Sequence, residues 1–513
     1  MQKRTFMFNT LLLTCATLLS RTIGISFRVF MSNQIGAEGV GLYQLVTTVY
    51  FFATTFATAG ISLTVTRLVT DALAEKQPGR ARTVIFYCLL LSLLLSIAAG
   101  LALFFGAGYI GGVLVGDART VLPLQILAPS LPFMAVSACL RGYFYGVRKV
   151  LKTASEQLLE QGIEIAVFAC LIGSLAPKGL EYACCAIVLG TTLAEIVSCA
   201  YSFLLYWQDS RALRRSAQHS REKGVIKKIL SVSLPVTASS CLRSGLSTVE
   251  NMMIPRGLKK SGASAEASLA GYGMLTGMVM PVITFPSAFL SSFSMLLIPE
   301  LSEANAVHHK RNIRYIAGRS FQITLLFSIL VMGVLLLFAD QIGQLIYHDS
   351  QPGGYIRLLA PVIPLMYLDS VADGMLKGLN EQLRYLSYNL IDSFTRVILI
   401  LCLLPLLGIY GLIVVIFTSE LLNSTLSIAR LLKVTGLRLK VGDWILKPLL
   451  AVSAPGLLAM WIVRTEPAWF SSPLPLIALV ACICLCYFTS LFLMGSISRE
   501  DIRWAKNILI KTK

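Results

Sequence analysis

Apolar residues fall in runs separated by short polar or basic stretches along the whole chain. An α-helix rises 1.5 Å per residue, so about twenty apolar residues span the roughly 30 Å hydrocarbon core of a bilayer. The pattern predicts membrane-spanning helices centred on residues 6–32, 43–66, 83–106, 121–144, 155–175, 181–207, 229–254, 269–298, 316–339, 357–379, 385–406, 409–432, 444–463 and 473–495. The expected fold class is therefore an all-α polytopic membrane protein with about 14 transmembrane helices, because helices satisfy their own backbone groups inside lipid.

Composition agrees. Of 513 residues 56% are hydrophobic and 14% charged, with a mean hydropathy of +0.73. A soluble domain carries about 25% charged residues. A disordered chain, a disulfide scaffold and an ordinary soluble enzyme are excluded. Cys15, Cys88, Cys170, Cys199 and Cys402 lie inside apolar runs, where cysteine behaves as a small hydrophobe. Cys482, Cys484 and Cys486 have no His or acidic neighbour, so no metal site is expected. Lys3 and Arg4 before an apolar stretch look like a signal peptide, but Arg21 and Arg28 interrupt it and no A-x-A site follows. The expectation is a retained first helix.

The formal charge of +18 reads as topology rather than as nucleic-acid binding. With the N-terminus on the cytoplasmic side, 33 of the 44 Lys and Arg fall in cytoplasmic segments, seven outside and four within helices. Both termini are expected in the cytoplasm, with an even number of spans in the cell membrane. Gly111–Asp117 and Tyr347–Gly354 then face outside, and Arg211–Lys228 and His308–Arg314 inside.

The chain also repeats itself. Leu127-Ala128-Pro129, Pro132 and Met134 recur 232 positions later as Leu359-Ala360-Pro361, Pro364 and Met366. The same shift pairs Gly142 with Gly374, Gly146 with Gly378, Ser155 with Ser387, Gly179-Leu180 with Gly411-Leu412, and Gly39-x-Gly41 with Gly271-x-Gly273. Arg21 matches Arg243 at a shift of 222. Six spans per copy make these parallel repeats, the architecture of an alternating-access transporter. The expected organisation is a six-helix bundle over 1–207, a basic cytoplasmic linker over 208–228, a second six-helix bundle over 229–432, and two extra helices with a cytoplasmic tail over 433–513. The tail from Arg499, with Ile502, Trp504, Ile508 and Leu509, is expected to form a short interfacial helix.

Ser20-Arg21-x-x-Gly24 and Gly36-Ala37-Glu38-Gly39-x-Gly41-Leu42-Tyr43 resemble the start of the multidrug/oligosaccharidyl-lipid/polysaccharide exporters. Arg141-Gly142-Tyr143-Phe144-x-Gly146 resembles a fourth-helix signature of the polysaccharide flippase branch. Tyr272-Gly273-Met274, Pro281, Phe285-Pro286-Ser287 and Ile298-Pro299-Glu300-Leu301-Ser302-Glu303-Ala304 look like its sporulation subgroup. The resemblance covers essentially the whole chain. It implies a flippase that moves an undecaprenyl-pyrophosphate-linked saccharide, such as a peptidoglycan precursor, across the cytoplasmic membrane. It also implies a role for first-helix arginines. Arg21 matches by context, while Arg28 lies one position from the second arginine of the family pattern. The two extra helices, residues 444–495, would hold the lipid tail.

Ionisable groups at membrane depth are costly and mark pathways or binding sites. Arg21 and Arg28 share a helix face two turns apart, as do Arg243 and Glu250. Glu156, Glu160 and Glu164 recur at four-residue spacing, as do Asp369 with Asp373 and Asp392 with Arg396. Glu195 and Glu420 stand alone on other helices. The bland reading for the acids is ion pairing that holds the bundles together. Arg21, Arg28 and Arg243 are the expected substrate-binding residues, because a guanidinium keeps its charge and forks onto phosphate oxygens. The acids are the expected partners of these arginines or of a coupling cation, sodium or a proton.

No phosphate-binding Gly-rich loop, zinc-protease motif or nucleophile elbow is present, so neither ATP chemistry nor a cofactor is expected. The competing readings are a cation-coupled multidrug exporter, a membrane enzyme acting on the same lipid carrier, and a scaffold of envelope assembly. Paired arginines favour an anionic substrate over the first. Short outside loops near 106–120, 256–268 and 340–356 disfavour the second.

Overall fold

The computed structural model describes residues 2–75, 77–215, 224–465 and 473–496. The middle of the expected linker, residues 216–223, and the interfacial helix expected from Arg499 lie outside the described residues. Among the described residues every element is helical. The helices are α1 (Gln2–Thr58), α2 (Ile61–Ala74), α3 (Pro78–Tyr109), α4 (Val121–Leu127), α5 (Ser130–Gly146), α6 (Val150–Leu175), α7 (Leu180–Arg215), α8 (Val225–Lys260) and α9 (Ala265–Tyr272). They continue as α10 (Met280–Thr284), α11 (Ser287–Ala306), α12 (Lys310–Leu337), α13 (Ala339–Tyr347), α14 (Gln351–Leu359), α15 (Ile363–Gly378), α16 (Gln382–Leu407), α17 (Ile409–Thr435), α18 (Lys447–Thr465) and α19 (Pro473–Leu493).

Twelve helices among the described residues are long and apolar enough to cross a membrane, or thirteen when the bent pair α4–α5 counts as one span. The first of these runs, Leu19–Ala74, has 56 residues and is interrupted at Gly36, where φ is 66°. At about 1.5 Å per residue it is long enough for two crossings. That left-handed backbone conformation is cheap only for glycine. The surface suits lipid: Phe105, Leu383, Leu406 and Leu493 are largely exposed, as apolar side chains facing hydrocarbon would be.

Two compact units divide the chain. The first holds the described residues up to Arg256 together with Ser264–Gly273. Its core joins Ile61, Val65 and Val69 of α2 to Val84, Ile85 and Cys88 of α3, and to Leu140, Tyr143 and Phe144 of α5. The second unit holds Gly257–Ala263 and the described residues from Met274 onward. There the two extra helices dock on α12, with Leu326, Ile329 and Leu330 packed against Ala451, Val452 and Ala459 of α18 and Ile483 and Tyr487 of α19. Gly333 makes room for this docking, since a Cβ there would lie 2.6 Å from Val452.

The internal repeat is physical. In the first unit a Cβ on Gly142 would lie 2.6 Å from the Ser62 carbonyl oxygen; in the second, a Cβ on Gly374 would lie 3.0 Å from that of Ser294, the residue matching Ser62 at the same shift. The Thr70 hydroxyl donates to the Gly146 carbonyl at 3.3 Å, and the matching Ser302 hydroxyl donates to the Gly378 carbonyl at 3.1 Å. The matched prolines mark helix breaks in both copies. Around Pro129, α4 and α5 bend by 48°, and Pro361 lies in a 3₁₀ turn between α14 and α15. A proline ring removes a backbone donor and disfavours a continuous helix.

Candidate functional site

The Ser20-Arg21-x-x-Gly24 segment of α1 packs on α6. The Ser20 hydroxyl donates to Gln161 Oε1 at 2.9 Å, and the ring of Phe168 receives Phe27 and Phe30 edge-on, each at 5.5 Å. This seam holds one face of α1 and leaves Arg21 and Arg28 exposed beside it. On α8, Ser244 is buried and Thr248 reaches the Thr48 carbonyl at 3.4 Å, while Arg243 is exposed. Among the described residues Arg21, Arg28 and Arg243 form no ion pair or hydrogen bond. Arg28 does lie near enough to Glu164 and Tyr43 to act on both electrostatically. All three arginines belong to the first unit.

The acids predicted on α6 gather around a residue that sequence reasoning had assigned only to a signature motif. Arg141 of α5 reaches Glu156 Oε1 at 3.2 Å and Glu160 Oε2 at 3.7 Å. Ser198 of α7 donates to Glu156 at 3.4 Å, and Thr191 donates to Glu164 at 2.8 Å. Glu195, also on α7, is 4% exposed and leaves Oε2 without a hydrogen-bond partner. Glu250 is half-buried on α8.

The second unit resolves its charges differently. Ser419 of α17 donates to Asp392 Oδ1 at 2.6 Å and receives Arg396 Nε at 2.9 Å. Arg396 is also 3.6 Å from Asp392 and 3.9 Å from Glu420. Asp369 accepts from Asn423 at 3.0 Å, and Asp373 pairs with Lys377 at 2.7 Å. Arg396 is therefore consumed by its own acids, whereas the arginines of α1 and α8 carry positive charge that no carboxylate contacts directly. Arg141, Ser419 and Asn423 were not singled out from sequence as site residues, because their partners lie on other helices.

The described residues thus hold three exposed arginines on α1 and α8 and two clusters of buried acids on a helical scaffold. A family model described as polysaccharide biosynthesis protein matches residues 6–305, and the MatE model matches residues 235–402. Stage V sporulation protein B of Bacillus subtilis (strain 168) is 29% identical over 451 residues, 87% of each chain. The lipid II flippase MurJ of the same organism is 21% identical over 404 residues, 73% of each chain. A solved structure of lipid II flippase MurJ in an inward closed conformation superposes with a TM-score of 0.69 at 14% identity, covering 95% of this chain and 100% of that one. An inward-facing multidrug-resistance MATE transporter of the MOP superfamily superposes with a TM-score of 0.62 at 15% identity, covering 81% of this chain and 96% of that one. The flippase and the MATE transporter are carriers, not enzymes. With more than half of its length matched by the family model, this multi-pass membrane chain belongs to the polysaccharide biosynthesis protein family.

Proposed function

We propose that the protein is a secondary transporter that moves a lipid-linked saccharide from the inner to the outer leaflet of the cytoplasmic membrane by alternating access. The substrate is an undecaprenyl-pyrophosphate-linked precursor of the cell envelope or of peptidoglycan. The observation that carries this reading is the set of Arg21, Arg28 and Arg243, which are exposed on helices long and apolar enough to cross a membrane and make no ion pair among the described residues. Unpaired guanidinium groups within hydrocarbon are unfavourable, so they call for an anion. A pyrophosphate offers oxygens at the spacing a guanidinium fork prefers. The likeness to stage V sporulation protein B and to a lipid II flippase supports the same class of substrate.

In this reading both termini face the cytoplasm. Residues 1–207 and 229–432 are the two copies of the sequence repeat joined by the linker at 208–228, with the start of the second copy packed into the first compact unit, and the helices within 433–513 accompany the lipid tail. Binding to the purified chain in nanodiscs tests the arginine clamp. A pyrophosphate-linked saccharide should bind more weakly, by about tenfold, when Arg21, Arg28 or Arg243 is replaced by Lys, since hydrogen bonds to charged groups contribute about 1.5–3 kcal/mol each. Wild-type affinity in the Lys and Ala variants alike would remove the clamp.

A further inference from the structure

Buried acids of the two units differ in what neutralises them. In the second unit Asp392 and Glu420 face Arg396, Asp373 faces Lys377, and Asp369 receives the Asn423 amide. In the first unit Glu156 and Glu160 share the single Arg141, and Glu164 takes the Thr191 hydroxyl with Arg28 nearby. Glu195 has neither a cationic contact nor a hydrogen bond at Oε2, although it is 4% exposed. The repeat shows that the fold does not require an acid there: the residue matching Glu195 is Ser427, and Asp369, a buried acid of the second unit, matches Ser137.

The groups around Glu195 make this lack sharper. Glu156, Glu160 and Glu164 on α6 and Arg141 on α5 act on it electrostatically, and it acts in turn on Tyr50 of α1 and on Cys199 of its own helix. Four carboxyl groups against Arg141, with Arg28 near Glu164 alone, leave the cluster with more carboxyl groups than cations. A buried carboxylate without a donor is neutralised rather than left charged. Among the described residues no group of three or more His, Cys, Asp and Glu side chains is arranged to hold a metal ion.

We propose that Glu195 is a proton-carrying group of the first unit, loaded and unloaded through Glu160 with Arg141 beside them as a fixed positive charge, and that its proton is the one coupled to transport. The proposal rests on the transporter reading above. Loading breaks an O–H bond of a hydronium ion at the exposed Glu160 carboxylate and passes that proton on, forming an O–H bond at the Glu195 carboxylate. Unloading breaks that bond and passes the proton to the Glu160 carboxylate, whose side chain is 27% exposed and returns it to water. Loss of the proton makes Glu195 a new anion beside Arg141, so the guanidinium must be shared among three carboxylates instead of two. That change in pairing is a local electrostatic event of the kind that biases a two-state helix arrangement.

Two measurements on the full chain in lipid test this. Infrared difference spectra between acidic and alkaline buffer should show a protonated-carboxyl band that titrates in wild type, is lost in Glu195→Gln and persists in Glu300→Gln. In liposomes, an imposed proton gradient should accelerate translocation of a pyrophosphate-linked saccharide by wild type and leave Glu195→Gln at the same rate with and without the gradient. A Glu195→Gln protein of wild-type thermal stability with an unchanged infrared band would overturn the proposal. So would full acceleration of that variant by the gradient. Absence of translocation by wild type would defeat the transporter reading, while the infrared band would still decide whether Glu195 binds a proton.

Discussion

Gly41 and Gly273, matched across the repeat, meet each other backbone to backbone and reciprocally. A Cβ on Gly41 would lie 2.2 Å from the Leu269 carbonyl oxygen, and a Cβ on Gly273 would lie 2.1 Å from that of Ala37; Ala37 and Leu269 are themselves separated by the repeat shift of 232. Contacts in which i touches j and j touches i are what a two-fold axis generates. The segments Ala37–Gly41 and Leu269–Gly273 are therefore related locally by such an axis, inside the first unit. No side chain fits at either position without backbone displacement. Gly41→Ala and Gly273→Ala should each destabilise the protein by about 1–3 kcal/mol, the usual effect of overpacking. The double variant should depart from additivity, because the two residues share one contact. Thermal unfolding in detergent checks this, and unchanged midpoints in both single variants would refute the close crossing.

The matched pair Gly142 and Gly374 leads to a different expectation for each copy. At Gly142 the nearest obstacle to a side chain is the Ser62 backbone at 2.6 Å. At Gly374 it is the Ser294 hydroxyl, a movable group, with the Ser294 carbonyl oxygen at 3.0 Å. Gly142→Ala should therefore lower the yield of folded protein more than Gly374→Ala, as read by size-exclusion chromatography. Equal loss would mean that the two copies pack alike after all.

Much of this was visible along the chain. Apolar runs and the proline and glycine matches of the repeat are local signals, and they reappear as helices, as breaks at Pro129 and Pro361 and as close glycine contacts. Charged residues are conspicuous in apolar helices, so Glu156, Glu160, Asp392 and Arg396 stand out in the sequence, and the pairing of Asp392 with Arg396 follows from four-residue spacing on one helix. Pairing across helices was not legible. Arg141 joins Glu156 and Glu160 only because α5 packs beside α6, and Glu195 stood alone on its helix until α5 and α6 were placed around it. The Ser419 and Asn423 contacts are equally non-local.

The pairing of Arg396 yields a stability test. Removing it by Arg396→Ala would leave Asp392 and Glu420 without their shared cation. Breaking a buried ion pair costs about 3–5 kcal/mol. The thermal midpoint should fall, and Asp392→Asn in the same background should recover part of the loss. No recovery would indicate that Arg396 acts through packing instead of charge.

Topology can be read chemically. On the proposed topology, which rests on the 33-to-7 partition of basic residues, Ser350 would lie outside and His308 in the cytoplasm. In a background without native cysteines, Ser350→Cys should react with an impermeant thiol reagent in intact cells and His308→Cys should be shielded. The opposite pattern would invert the direction of transport assigned here.

The central claim is that the chain moves a pyrophosphate-linked saccharide through the bilayer, and translocation itself is its most direct measure. Purified protein in liposomes should carry a fluorescent lipid-linked saccharide to the opposite leaflet, where an added reagent or enzyme reaches it. The rate should scale with protein and fall in the Arg21, Arg28 and Arg243 variants. Transfer no faster than in protein-free liposomes, from protein shown to be folded, would contradict the account.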